Sequence, residues 1–171
     1  MDQRIAIAAE LPRLRRYARA LQRDPGAAED LVQDCVERAL SRLHLFRPGT
    51  NLRAWLFTIL HNIHVNSVRG EIRAAERIVA STDGEIPVEG VTDPSQSHSL
   101  ELRDLSRAIA ALTEEQRQVI LLIGLEDMSY RDASEILGVP VGTVMSRLSR
   151  GRDRLRILTS DENSQILRRV K

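Results

Sequence analysis

Apolar residues recur at three- and four-residue intervals through most of this chain, and no stretch alternates apolar with polar over the length of a strand. A period near 3.6 gathers side chains on one face of a helix, whereas a period of two gathers them on one face of a strand. The pattern therefore commits the chain to helices. Leu11, Leu14, Ala18 and Leu21 mark a first helix, broken at Asp24-Pro25-Gly26. A second runs from about Ala27 to Leu45, with Leu31, Cys35 and Ala39 in one row, Val32, Val36 and Leu40 in the next, and Leu43 extending the stripe. Arg47-Pro48-Gly49 ends it, and Thr50 or Asn51 can cap a third helix from Leu52 to about Arg73. Its stripe is Leu52, Leu56, Ile59, Leu60 and Ile63, with Trp55 at the edge.

The character changes after Arg77. Ser81 to Ser99 holds two prolines, two glycines, four acids and no Lys or Arg, and it has no helical period. It reads as a flexible acidic linker. Helical spacing resumes with Leu102, Leu105, Ile109 and Leu112. Thr113-Glu114-Glu115-Gln116 has the form of a capping box and opens the next helix through Val119, Ile120, Leu122 and Ile123. A helix over Ser129–Leu137, a turn at Gly138-Val139-Pro140 and a last helix from Val141 to about Leu158 complete the pattern. The fold class is all-α: two small helical domains joined by a linker. The boundaries are 1–77 for the first domain, 78–99 for the linker, 100–160 for the second domain and 161–171 for a tail.

Aromatics at 3% suit a helical core of Leu, Ile, Val and Ala better than a β-sandwich. The net charge of +1 does not announce a nucleic-acid binder. Of the 25 basic residues, however, only Lys171 is a lysine. Arginine presents a planar fork to phosphates and base edges, although a GC-rich genome produces the same skew. Cys35 is the one cysteine, which excludes an internal disulfide and a cysteine zinc cluster. No apolar stretch reaches the ~18 residues of a membrane span. Met1–Glu10 lacks the apolar core of a signal peptide, so a cytoplasmic location is expected, with no membrane insertion.

Met128–Arg156 carries the sharpest local signal. Ser129 suits an N-cap, with Asp132 three residues on; Ser134 is small where two helices approach; Gly138 suits a left-handed helix stop. Gly142-Thr143 opens the second helix, and Val144 and Leu148 point back to the core. This is the spacing of a helix-turn-helix. Thr143, Ser146, Arg147, Arg150 and Arg154 form the expected outward face, and Val141–Arg156 holds five arginines against one acid, Asp153. Such a helix suits the major groove, and a solvated basic helix has the same composition.

The N-terminal half carries a resemblance. Asp30-Leu31-Val32-Gln33-Asp34-Cys35-Val36-Glu37-Arg38-Ala39-Leu40 resembles the polymerase-binding helix of the sigma-70 superfamily. Phe46–Asn62, with Arg47-Pro48-Gly49-Thr50-Asn51-Leu52-Arg53-Ala54-Trp55-Leu56 at its heart, resembles the promoter-melting helix of the smallest members, the extracytoplasmic function (ECF) sigma factors. Pro140-Val141-Gly142-Thr143-Val144 and Ser146-Arg147 are similar to their −35-reading domain. The likeness covers roughly residues 10–75 and 100–156, with the three motifs in the family's order. It implies a sigma region 2 type bundle followed by a region 4 type helix-turn-helix, in a factor that directs transcription initiation in a stress or envelope response.

The resemblance assigns Asp30, Leu31, Gln33, Asp34 and Glu37 to the polymerase clamp helices. It assigns Thr58, Asn62, Asn66 and Arg69 to −10 DNA, and Thr143, Ser146, Arg147, Arg150 and Arg154 to −35 DNA. The residues themselves agree. Asp30, Gln33, Asp34 and Glu37 form an acidic surface fit for a basic partner, as would any solvated helix face. Asn62 and Asn66 lie one turn apart with Arg69 near, so two amides can meet an unpaired base edge and an arginine a phosphate. A mid-helix Asn can equally bond locally to backbone. Met145 departs from the family, where a basic residue is common. Trp55 is expected in the core rather than as a stacking platform, and Cys35 as a packed thiol.

The implied partners are RNA polymerase core enzyme, promoter DNA and an anti-sigma factor that clamps both domains. No cofactor or metal is expected: His61 and His64 are spaced i, i+3 but lack a third ligand, and the chain shows neither a P-loop nor a nucleophile–base pair. Two rivals stand beside this reading. One is a polymerase-independent helix-turn-helix regulator, against which the Asp30–Leu40 and Asn51–Asn66 motifs argue. The other is a sigma-like decoy for an anti-sigma factor; such decoys carry a receiver domain, for which 171 residues leave no room.

Overall fold

In the computed structural model the described residues are 3–79 and 100–169, with side chains described over 3–74 and 103–159. All regular structure among them is helical. The linker read at 78–99 falls, apart from its first two residues, outside the described residues, as does the end of the tail.

Three helices build the N-terminal bundle: α1 (Gln3–Leu21), α2 (Pro25–Ser41) and α3 (Leu52–Val79). α1 starts eight residues before the first Leu of its stripe and runs through Pro12. A proline there removes one helical hydrogen bond, and burial of Ile7 in the core offsets that loss. Asp24 caps α2, accepting the Ala27 N–H at 2.7 Å, with Pro25 at the first helical position where no N–H is needed. The second helix stops at Ser41, short of Leu45, and a single 3₁₀ turn (Leu43–Leu45) follows. Asn51 is the cap of α3, its Oδ1 accepting from Ala54 N at 3.2 Å. Leu14, Tyr17, Ala18, Val32, Cys35, Leu56, Phe57 and Leu60 fill the bundle core. Tyr17 meets Phe57 edge to face at 5.1 Å, and Trp55 lies against Phe46 at 5.2 Å, half-buried at the rim of the core.

The C-terminal half comprises α4 (Leu100–Ala110), α5 (Glu114–Ile120), α6 (Tyr130–Leu137) and α7 (Val141–Arg169). Thr113 and Gln116 form the reciprocal capping box at the start of α5. The helix expected to continue through Ile123 instead widens at Leu121–Leu125 into a π-turn, closed by Glu126 N–H to Leu121 C=O at 3.1 Å. Asp127 then takes a left-handed backbone, φ 51°. Ser129 caps α6, and Gly138 ends it at φ 64°. Ser134 does more than stay small. Its hydroxyl donates to Val139 C=O at 2.6 Å and so fixes the turn into α7. Gly151 lets α7 cross α5 closely, since a Cβ there would lie 3.0 Å from Ile120 Cγ1.

The two halves lie against each other, α3 packing on α6 and α1 on the π-turn. Much of the seam is polar. The Glu126 carboxylate is fully buried and takes two hydrogen bonds from Arg16, at 2.9 and 3.0 Å, with Arg13 at 3.9 Å. Asn51 Nδ2 donates to Asp132 at 3.3 Å. Arg117, mostly buried, donates to the carbonyls of Ala110, Leu112 and Leu21 and so joins α4, α5 and α1.

Candidate nucleic-acid interface

α3 positions one candidate surface. Asn62, Asn66 and Arg69 are all exposed on the side away from Leu56, Leu60 and Ile63. At 100° per residue Thr58 belongs to the same stripe. Thr58 is half-buried, however, and its hydroxyl donates to Ala54 C=O at 2.8 Å, so its hydrogen is already committed. The structure thus brings three of the four expected residues to the surface together.

The histidines of α3 turn inward. His64 sits between Gln22 and Glu114. With the Gln22 amide N–H facing it at 3.1 Å, Nδ1 accepts, and Nε2–H donates to Glu114 Oε1 at 2.6 Å. Burial works to raise the Glu114 pKa, but the bonds from His64 and Gln118 and the charge of Arg117 outweigh it and hold the carboxyl below its usual value. His61 is 8% exposed, its Nδ1 has no partner, and burial lowers its pKa to about 4. No group of three or more His, Cys, Asp or Glu able to hold a metal occurs among the described residues.

α2 presents Asp30, Gln33, Asp34 and Glu37 to solvent as one face. Leu31 lies behind that face, buried in the core beside Cys35 as their i, i+4 spacing requires. Burial raises the Cys35 thiol pKa to about 12. Leu40, expected in the apolar stripe with Val32 and Val36, is instead 44% exposed and borders this face, and Leu45 in the following 3₁₀ turn is 63% exposed.

α7 carries the third surface. Arg150 and Arg154 are exposed, and Arg150 is steadied by Ser146 C=O at 3.3 Å. Thr143 and Ser146 are half-buried, the Ser146 hydroxyl donating to Thr143 C=O at 3.0 Å. Arg147 points toward α5, paired with Glu115 at 2.7 Å and only 20% exposed in its side chain. Met145, Ser149 and Arg152 are exposed in its stead. The row Val141, Met145, Ser149 at four-residue spacing was the available signal.

A model described as the Sigma2 domain of PhyR matches residues 7–61, and one described as Sigma-70, region 4 matches residues 102–155. The ECF RNA polymerase sigma factor EcfG of Rhodopseudomonas palustris is 39% identical over 152 residues, 89% of this chain and 82% of its own. The chain belongs to the ECF sigma factors. Its fold matches the sigma factor RpoE in complex with the anti-sigma factor NepR from Bartonella quintana, with TM-score 0.76, 39% identity and 93% and 97% of the two chains covered. The anti-anti-sigma factor PhyR from the same organism shares the fold alone, with TM-score 0.57, 18% identity and 87% and 47% coverage. As an ECF sigma factor the protein directs RNA polymerase to promoters, which removes the polymerase-independent regulator. Among its described residues no helix is long and apolar enough to cross a membrane.

Proposed function

We propose a division of labour among the three surfaces of this sigma factor. Residues 1–77 act as the polymerase- and −10-binding domain, and 100–160 as the −35-binding domain. The Asp30, Gln33, Asp34 and Glu37 face of α2 docks on basic polymerase helices. Asn62 and Asn66 hold unpaired −10 bases while Arg69 holds phosphate, and α7 enters the major groove at −35 with Arg150 and Arg154 outward. Arg147 steadies α7 against α5 through Glu115. The observation that carries this reading is the α3 stripe, which leaves two amides and a guanidinium in solvent on a helix whose opposite side, at Leu56, Leu60 and Ile63, is held by the core. The protein supplies no catalysis: base capture and polymerase contacts supply the melting energy. It acts in the cytoplasm, where the polymerase is.

An anti-sigma factor is the proposed regulator. A groove of about 460 Å³ runs along the seam of the two halves, floored by Leu21, Ile109, Leu121 and Leu125 and edged by Arg19 and Arg23. An apolar helix with acidic flanks suits it, and RpoE, the similar sigma factor, was solved in complex with an anti-sigma factor, NepR.

Run-off transcription with core polymerase tests the reading. Asn62→Ala and Asn66→Ala should bind core enzyme normally and lose permanganate reactivity in the melted region. Unchanged footprints in both variants would reject base capture by α3.

A further inference from the structure

The flank of α7 beside its buried residues carries an exposed apolar group where hydrogen-bonding groups are expected. Val144 and Leu148 face the core, while Met145 is 50% exposed. Successive residues turn by 100°, so Met145 projects beside Ser149 and Arg152 rather than beside Val144. These three line a shallow concavity of about 270 Å³ between α6 and α7, together with Tyr130, Asp153 and the edge of Leu148. Asp153, the one acid of the segment, is held by Arg156 at 2.8 Å, which blunts its repulsion of phosphate.

If α7 lies in the major groove, as proposed above, Met145 meets base edges. A thioether has no donor and is a weak acceptor, so it cannot form the paired hydrogen bonds by which Arg selects guanine or Asn and Gln select adenine. Its end is apolar, polarisable and flexible. Only thymine offers the groove a matching group, its 5-methyl. We propose that Met145 is a specificity-determining residue that reads a thymine methyl in the −35 element, while Arg150 and Arg152 hold the flanking backbone. This rests on the reading of α7 as the groove helix.

The test uses the full chain bound to core polymerase and a duplex that this holoenzyme selects from a randomised library. Each −35 thymine is replaced in turn by deoxyuridine, which lacks only the methyl. One replacement should weaken binding about fourfold, the effect of returning one methyl-sized contact to water. Met145→Ala should bind the thymine and deoxyuridine duplexes equally, and Met145→Leu should restore part of the difference. Arg150→Ala should weaken every duplex alike. Insensitivity of the wild type to all replacements, or equal sensitivity in Met145→Ala, overturns the role of Met145 while leaving α7 in the groove. If Arg150→Ala, too, binds every duplex as the wild type does, the groove placement of α7 fails, and the thymine contact fails with it.

Discussion

Acidification should destabilise this protein through His61. Its imidazole is buried, and Nδ1 has no hydrogen-bond partner. Burial, then the neighbouring His64, lower its pKa from 6.5 to about 4. Between these values the unfolded chain binds a proton that the folded chain refuses, so stability is whole above pH 6.5 and drains as pH falls toward 4. At about 1.36 kcal/mol per pH unit, the gap corresponds to about 3 kcal/mol. Glu114 carries a lowered pKa nearby, so its own contribution also fades in acid, below its unfolded value near 4.5. Comparing wild type with His61→Leu separates the two, because Glu114 stays in both. Urea unfolding at pH 7, 6, 5 and 4 should show wild type losing about 3 kcal/mol more than the variant, most of it above pH 4.5. Ring NMR signals of His61 should stay those of a neutral imidazole at pH 5. Parallel pH curves for the two proteins, or a charged ring at pH 5, would refute the reasoning.

Further outcomes follow from packing and charge. Arg16→Ala leaves the buried Glu126 carboxylate with Arg13 alone at 3.9 Å; a broken buried pair costs up to about 3–5 kcal/mol, less here because Arg16 is half exposed. Hydration of Glu126 by separation of the halves relieves that loss, so fluorescence transfer between dyes on α1 and α6 should fall while helical circular dichroism stays constant. Gly151→Leu should cost about 1–3 kcal/mol by overpacking against Ile120, with Ile120→Ala recovering part of it in thermal unfolding. Cys35 should resist a thiol reagent at pH 8 in the native protein and react on unfolding, because burial raises its pKa to about 12.

Helical periodicity made the bundle core legible from residues such as Leu56, Leu60 and Ile63, and the same 100° geometry exposed Asn62, Asn66 and Arg69. The breakers also did what their chemistry requires at Asp24-Pro25 and Gly138. What escaped depends on partners far along the chain. Glu126 looks like loop charge beside Asp127, yet it is buried because Arg16 approaches from 110 residues away. The basic character of α7 could be counted, but which arginine Glu115 would turn inward could not, since that pair spans 32 residues. Leu31 was read with the acidic residues around it, although its own spacing to Cys35 already placed it in the core. The π-turn leaves no periodic trace, because the helix ends at Leu125 before later residues could show the shifted register.

The seam between the halves has a thermodynamic consequence for promoter search. Any separation of α3 from the C-terminal half on promoter DNA breaks the Asn51–Asp132 and His64–Glu114 bonds that join the halves here. The affinity of the free chain for a whole promoter is then its intrinsic affinity multiplied by the fraction of molecules already apart. A population of about 1% apart weakens binding about 100-fold without any change at the DNA-reading residues. Core polymerase that grips the two halves separately removes this factor before DNA arrives. Selectivity for promoters carried by polymerase, over the same sequences met by the free chain, is thereby written into the stability of the seam.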